Sequence, residues 1–157
     1  MEQDSHVADY VLKFINQTNQ SLFLTGKAGT GKTTLLKKIV ETTHKNFVVV
    51  APTGIAALNA KGVTIHSFFQ LPFGSFIPDN FSEYSFSDQL KFENRNTLRR
   101  HFKMNLSKRT LVKNLQLLII DEVSMLRADV LDAMDYMLQY VRKNNAPFGG
   151  VQVLFIG

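Results

Sequence analysis

Hydrophobic residues along this chain fall into short continuous runs that are separated by stretches of helical periodicity. The runs at 47–51 and 117–120 contain no polar alternation, which is typical of parallel strands covered on both faces. Between such runs, apolar residues recur three and four positions apart, as on one face of an amphipathic helix. The pattern predicts helices over residues 6–15, 32–42 and 128–141, and strands over residues 21–25, 47–51, 117–120 and 151–156.

Strands that alternate with helices predict an α/β fold, in which a parallel sheet lies between two layers of helices. The chain has 157 residues, 45% of them hydrophobic, which suits one domain with a core. It has no cysteine, so disulfides and cysteine-based metal sites are excluded. No apolar run is long enough to span a membrane, and the first residues lack a secretory signal. We therefore expect an intracellular protein with no membrane partner.

Residues 26–33 form a glycine-rich segment between the first predicted strand and the helix that follows it. They fit the phosphate-loop (Walker A) pattern G-x-x-x-x-G-K-[ST], in which successive backbone N–H groups point into one concavity at a helix N-terminus. Lys32 is expected to reach the β- and γ-phosphates of a nucleoside triphosphate, and Thr33 to coordinate Mg²⁺. The predicted nucleotide-binding residues are Gly26, Ala28, Gly29, Thr30, Gly31, Lys32, Thr33 and Thr34.

Two carboxylates follow the apolar run at 117–120, at the point where that predicted strand ends. Ligands of parallel α/β sheets bind at the carboxyl ends of the strands, so Asp121 and Glu122 are expected near the phosphate loop. Asp121 is interpreted as a Walker B acid that holds Mg²⁺ through water, and Glu122 as the base that polarises an attacking water. The predicted catalytic residues are therefore Lys32, Asp121 and Glu122.

The middle of the chain carries weaker signals. Thr53 and the amides around Gly54 form a second strand-to-helix turn that could bind a phosphate. His66 is interpreted as a structural histidine, because no second histidine stands at metal-ligand spacing. The loop-rich stretch at 71–86 holds aromatic residues that either stack on bases or anchor the loop to the core; they are Phe73, Phe76, Phe81, Tyr84 and Phe86.

Positive charge is concentrated in residues 91–113, which hold eight Lys or Arg against one Glu, a local charge of +7. Because the whole chain carries +5, the remaining residues sum to 5 − 7 = −2. This basic segment either follows a phosphate backbone or forms a solvated helical face. The acids of the last predicted helix, Asp129, Asp132 and Asp135, are interpreted as solvated surface residues.

Taken in order, residues 26–34, 51–58, 64–68, 118–126 and 149–157 resemble the motifs of Pif1-like helicases of superfamily 1B, particularly the bacterial branch. The resemblance implies a P-loop NTPase fold of the RecA-like class. It also implies ATP and Mg²⁺ as cofactors, and ATP hydrolysis coupled to 5′-to-3′ movement on single-stranded DNA with unwinding of duplex and fork DNA. A role in DNA repair, recombination or replication follows. Such a protein would be cytoplasmic and nucleoid-associated in a bacterium, or nuclear or mitochondrial in a eukaryote.

The same resemblance gives expectations for the remaining segments. The single-strand path would be lined by Pro52, Thr53, Gly54, His66, Ser67 and Phe68. Residues 72–84 would form a small wedge that separates strands. The predicted strands would pair in the order 1-4-3-2, with the first strand as an exposed apolar edge. Three upstream residues remain open as the glutamine that contacts adenine: Gln3, Gln17 and Gln20.

The sequence departs from the family pattern at its end. Family members continue from the final strand into Gly-Asp and then a Gln, followed by a second RecA-like domain with an arginine finger, whereas this sequence stops at Gly157. We therefore expect residues 1–157 to be the N-terminal RecA-like domain of a helicase, with a sheet that is incomplete at the C-terminus. Two alternatives remain open: a small-molecule P-loop kinase and a non-catalytic module that binds single-stranded DNA.

Overall fold

The structure, a computed structural model, describes residues 2–77 and 92–157. Its centre is a parallel sheet of five strands in the order β1-β7-β6-β2-β3. Two further short strands, β4 and β5, form a separate parallel pair. The strands are β1 (Leu22–Leu24), β2 (Phe47–Ala51), β3 (Val63–Thr64), β4 (Ser75–Phe76), β5 (Phe92–Glu93), β6 (Leu117–Ile120) and β7 (Gln152–Ile156).

Helices cover both faces of this sheet. They are α1 (Glu2–Gln17), α2 (Lys32–Thr42), α3 (Gly54–Asn59), α4 (Ile65–Phe69), α5 (Arg95–His101), α6 (Leu106–Asn114) and α7 (Ala128–Arg142). Two short 3₁₀ turns, Val123–Met125 and Pro147–Gly150, complete the described backbone. No helix among the described residues is long and apolar enough to cross a membrane.

The side chains of β6 separate the core into two halves, because successive residues of a strand point to opposite faces. Leu117 and Ile119 join α1 and α2 in one cluster. Leu118 and Ile120 join a larger cluster with residues of α4, α5, α6 and α7. All four β6 side chains are fully buried, so this strand packs against both helical layers.

The predicted sheet order is confirmed, with one addition. The four strands expected as 1-4-3-2 are β1, β7, β6 and β2, and β3 adds a fifth strand beside β2. The strand β1 lies at the edge as expected, with Phe23 largely exposed. The first helix is longer than predicted, because it continues to Gln17 and takes in part of the expected linker.

The two segments singled out in the middle of the chain have different outcomes. From residue 92 onward the basic segment forms β5, α5 and most of α6, with Asn94 and Asn105 accepting backbone N–H bonds at the helix starts. Of the expected wedge at 72–84, only residues 72–77 lie within the described part. The aromatic residues Phe81, Tyr84 and Phe86 lie outside it, whereas Phe76 is buried in the core.

A polar network ties the segment between α1 and β1 to the amino end of the sheet. Among the described residues, Gln152 is the one polar side chain that is fully buried. Its amide donates to the Gln20 carbonyl at 2.7 Å and accepts from Lys45 Nζ at 2.7 Å. Lys45 also donates to the Thr18 carbonyl at 2.6 Å, and burial lowers the pKa of Lys45. Because each buried group has a partner, the network stabilises the start of β1 and β7.

Gly62 offers a test of this packing. A Cβ atom at Gly62 would lie 2.4 Å from the carbonyl oxygen of Val49 in β2, so Gly62→Ala must displace β3 from β2. We expect a loss of about 1–3 kcal/mol in the free energy of unfolding, measured by urea denaturation. Gly54→Ala is the matched control, since a Cβ there meets nothing within 4 Å. Equal stability of the two variants would contradict the close approach.

Candidate active site

The phosphate loop joins β1 to α2, and two of its glycines need backbone angles that other residues avoid. Gly29 and Gly31 have φ of +79° and +84°, in the region that favours glycine. Gly31 precedes α2, and no side chain caps the helix start. The first N–H groups of α2 are therefore left available to an anion.

Contacts within the loop hold its lysine and threonine. Lys32 Nζ donates to the carbonyls of Gly26 and Lys27, the latter at 3.0 Å. Thr30 Oγ1 donates to the Lys27 carbonyl at 2.8 Å. A Cβ on Gly26 would lie 2.6 Å from Thr30 Oγ1, so Gly26 allows the two ends of the loop to approach. The ammonium of Lys32 is thus held against the loop that the sequence predicts to bind phosphate.

A cavity of about 900 Å³ lies against this loop. The loop and α2 supply most of its wall, and α1 closes one side with Val7 and Ala8. Thr33 and Thr34 lie in the first turn of α2, and both are exposed. Ala28 is also exposed, between Lys27 and Gly29. The cavity is large enough for a nucleotide-sized ligand.

Three glutamines remain open as the residue that contacts adenine, and the position of α1 distinguishes between them. Gln20 lies at the opposite end of β1 from the phosphate loop, where its carbonyl accepts from Gln152. Gln17 ends α1 at that same side. A 16-residue helix is about 24 Å long, so its first turn, which contains Gln3, is the end nearest to Val7, Ala8 and the cavity. Of the three candidates, Gln3 is therefore the one on the turn of α1 nearest the cavity, and the adenine contact itself stays a prediction.

The two acids follow β6, as predicted. Asp121 is half-buried, its backbone N–H donates to the Val50 carbonyl at 2.9 Å, and its Oδ1 accepts from the Glu122 N–H at 3.0 Å. Glu122 is exposed and has φ of 54°, a left-handed conformation that costs a residue other than glycine about 1–3 kcal/mol. This turn directs the chain from β6 into the 3₁₀ turn at Val123–Met125.

The phosphate loop and the two acids lie at the same end of the sheet, where the strands have their carboxyl ends, but they are not in direct contact within the described structure. β1 and β6 both pair with β7, so their carboxyl ends lie about 10 Å apart at the usual strand spacing. Within the described part of the chain, Lys32 makes no ion pair with Asp121 or Glu122. A phosphate group with a metal ion would span such a gap.

The residues expected along a single-strand path lie at the ends of β2 and β3. Thr53 Oγ1 accepts from the Ala56 N–H at 3.2 Å and caps α3, between half-buried Pro52 and exposed Gly54. The ring of His66 stacks on Phe73 with centroids 5.4 Å apart. Next to it, Ser67 is exposed and its carbonyl accepts from Lys108 Nζ at 3.0 Å.

Phe68 corrects the expectation for this path. It is 5% exposed and belongs to the larger core cluster, because α4 turns its Phe68 and Phe69 side toward the sheet. Its ring therefore offers no free face to a base. Phe73 is 85% exposed, and it is the aromatic ring that the described part of this surface presents. Lys108, which belongs to the basic segment at 91–113, places its ammonium 5.0 Å from the Phe68 ring centroid, a contact that the sequence did not predict.

Two of the three acids on α7 are also corrected. Asp135 accepts hydrogen bonds from Gln139 Nε2 and from the Phe148 N–H, so it is a half-buried hydrogen-bond acceptor and not a solvated acid. Asp129 accepts two bonds from Arg127 and one from the Phe76 N–H at 3.1 Å. Arg127 also donates to Ser75 Oγ at 3.0 Å. We call this arrangement of Arg127, Asp129, Ser75 and Phe76 the clasp, because it fixes β4 to the start of α7.

Comparison with known proteins gives the family of this chain. A family model described as PIF1-like helicase matches residues 1–157. The chain belongs to the PIF1-like helicase family. The ATP-dependent DNA helicase PIF1 of Saccharomyces cerevisiae is 35% identical over 146 residues, which cover 90% of this chain and 15% of the yeast protein. The chain therefore spans a small part of the length of this relative.

Solved structures support the same assignment. A structure of Bacteroides Pif1 bound to single-stranded DNA is 43% identical, with a TM-score of 0.74 over 96% of this chain and 30% of that one. A structure that concerns DNA unwinding at forked duplex DNA by two coordinating Pif1 helicases is 42% identical, with a TM-score of 0.76 over 96% of this chain and 32% of that one. The expected P-loop, RecA-like α/β fold is confirmed.

The clasp can be tested by stability. Asp129→Ala leaves the Phe76 N–H without its acceptor and leaves Arg127 with Ser75 Oγ alone, which we expect to cost about 1–3 kcal/mol of unfolding free energy. Asp132→Ala is the matched control, because Asp132 is an exposed acid on the same helix. Chemical denaturation of both variants is the measurement. If Asp129→Ala were as stable as the control, the clasp would not hold β4.

Proposed function

We propose that this chain is the N-terminal nucleotide-binding domain of an ATP-dependent DNA helicase that moves 5′ to 3′ on single-stranded DNA. The observation that carries this proposal is the pairing of β1, β7 and β6, which brings a glycine-rich loop and two carboxylates to the same edge of one sheet. Membership of the PIF1-like helicase family supports it. So do the names of the yeast relative, an ATP-dependent DNA helicase, and of the Bacteroides structure with single-stranded DNA.

The proposed roles follow from the chemistry of the side chains. Backbone N–H groups of the loop and the Lys32 ammonium bind the phosphates of ATP. The Thr33 hydroxyl and the Asp121 carboxylate would hold Mg²⁺, since both are hard oxygen ligands on either side of the gap between β1 and β6. When bound, the ion supplies positive charge to the phosphate oxygens as negative charge develops there.

Glu122 is the proposed general base. Its carboxylate is exposed at the sheet edge, and a carboxylate within reach of a water can accept its proton as the water attacks the γ-phosphate. The left-handed backbone at Glu122 is a cost that a glycine would avoid. A strained position that carries an acid is typical of a functional site.

Proposed DNA contacts lie beside this site, at the ends of β2 and β3. Pro52, Thr53, Gly54, His66 and Ser67 form the surface there, and Phe68 supports it from the core. Residues 72–84 are the proposed wedge, anchored at Ser75 and Phe76 by the clasp. Forked DNA is a proposed substrate, in line with the name of the neighbour solved for fork unwinding. We place such a helicase in the cytoplasm of a bacterium, or in the nucleus or mitochondria of a eukaryote.

Hydrolysis can be separated from binding by two substitutions in the full-length protein. Glu122→Gln removes the base but keeps the size of the side chain, so the ATP turnover stimulated by single-stranded DNA should fall by about 10²–10⁴ while ATP binding persists. Lys32→Ala should instead weaken ATP binding by about 10- to 100-fold, because a charge-assisted contact to phosphate is lost. The measurements are phosphate release and binding of a fluorescent ATP analogue.

Lys37→Ala is the control for charge, because Lys37 is an exposed lysine of α2 outside the loop. Full turnover in Glu122→Gln would remove Glu122 from its proposed role. Phosphorylation of a small molecule without release of phosphate would instead favour a kinase.

A further prediction concerns the activity of residues 1–157 when they are tested by themselves. In related NTPases an arginine finger contributes about 10³ to 10⁵ in rate, and the family resemblance places that residue in a second RecA-like domain. We expect residues 1–157 alone to bind ATP and DNA weakly with little turnover, and a protein extended at the C-terminus to be active. Phosphate release stimulated by single-stranded DNA, measured on both, is the test. Equal activity would refute the division of the site between two domains.

A further inference from the structure

A second charged surface lies on the opposite helical layer from the phosphate loop. A cavity of about 410 Å³ opens between α5, α6 and α7. We call it the basic groove, and it is lined by Arg99, Arg109, Lys113, Tyr136, Tyr140 and Lys143, among others. Among the described residues, no Asp or Glu lines it. Within residues 2–77 and 92–157, none of its four cations forms an ion pair.

The arginine at the centre of the groove is held by two tyrosines. The Arg99 guanidinium lies 5.7 Å from the ring centroid of Tyr136 and 5.2 Å from that of Tyr140, and its Nε donates to the Tyr136 hydroxyl. Arg95 also lies over Tyr136, at 5.4 Å. Since Arg99 uses Nε in this bond, its terminal nitrogens keep their donors for a ligand.

The wall formed by α6 is fixed as well. Arg142 on α7 donates to the carbonyls of Val112, Lys113 and Leu115 at 2.7–2.9 Å. These bonds satisfy the last carbonyls of α6 and attach that end of the helix to α7. Lys113 is therefore presented from a fixed backbone, and the exposed side chains of Arg109 and Lys113 lie one turn apart on α6.

The chemistry of the groove favours a polyanion as its ligand. Clustered cations without acids attract phosphates strongly, and the residues outside the basic segment of 91–113 sum to a negative charge. The tyrosine rings already have guanidinium groups over them, so they are poorly placed to stack on bases, which is the usual mode for single strands. Contact with backbone phosphates alone suits a duplex.

We propose that the basic groove binds the phosphate backbone of duplex DNA, as a contact separate from the single-strand path. The proposal rests on the proposed helicase function, since it assigns the duplex part of that substrate to a surface. The helix α6 links the two regions: Lys108 contacts Ser67 on the single-strand side, and Arg109 and Lys113 line the groove. A duplex held there would lie beside the strand being drawn across the ends of β2 and β3.

The test is a double substitution, Arg109→Ala with Lys113→Ala, in the full-length protein. Binding to a blunt duplex and to oligo-dT is measured by fluorescence anisotropy over a range of salt concentrations. We expect duplex affinity to fall about tenfold at 0.1 M salt. The slope of log K against log[salt] should become shallower by about 0.9 for each of the two cations removed. Oligo-dT affinity and dT-stimulated ATP turnover should stay at the wild-type level.

The control pair is Lys13→Ala with Lys37→Ala, which removes the same charge from exposed positions on α1 and α2 in the other layer. Unchanged duplex affinity in the groove variant would overturn the proposal, and so would equal losses in the groove and control pairs. An equal loss for oligo-dT would show a single-strand site instead. Absence of dT-stimulated turnover in the wild type would refute the helicase function itself, which is a different result from normal turnover with unchanged duplex binding.

Discussion

Burial of β6 on both faces is the constraint on which the rest of this structure depends. Its four side chains are fully buried, and they belong alternately to two separate core clusters, one on each face of the sheet. Every position of β6 is apolar, since an unpaired carboxylate would be buried on either face, so the first carboxylates come where the strand leaves the sheet. Asp121 and Glu122 stand at that point. The position of the acids is therefore a consequence of packing as much as of chemistry.

The two helical layers of the domain form different parts of its surface. The layer with α1 and α2 closes the cavity at the phosphate loop, whereas the layer with α5, α6 and α7 carries the concentrated positive charge. Between them, the carboxyl ends of β2 and β3 present the surface proposed for single-stranded DNA. The proposed nucleotide site and the proposed single-strand surface thus lie next to each other at the carboxyl ends of the strands, whereas the basic groove lies on one helical layer.

Much of this arrangement could be predicted from the sequence because its signals are local. Continuous apolar runs mark the strands, the glycine pattern marks the loop, and the family resemblance supplies the order of the strands. The strand β3 was missed because it has two residues, too few to form a pattern. The roles of Lys32, Thr33, Asp121 and Glu122 stay predictions from the loop pattern, the strand-end position of the acids and the family resemblance.

The error at Asp129 comes from contact between segments that are distant in the sequence. The helical periodicity places Asp129 on the outer face of α7, but β4, whose Phe76 lies 53 residues earlier in the chain, packs against that position. This contact also links two parts of the domain. A single 3₁₀ turn separates Glu122 from Arg127, so the residue proposed as the base and a residue of the clasp lie on the same short connection between β6 and α7.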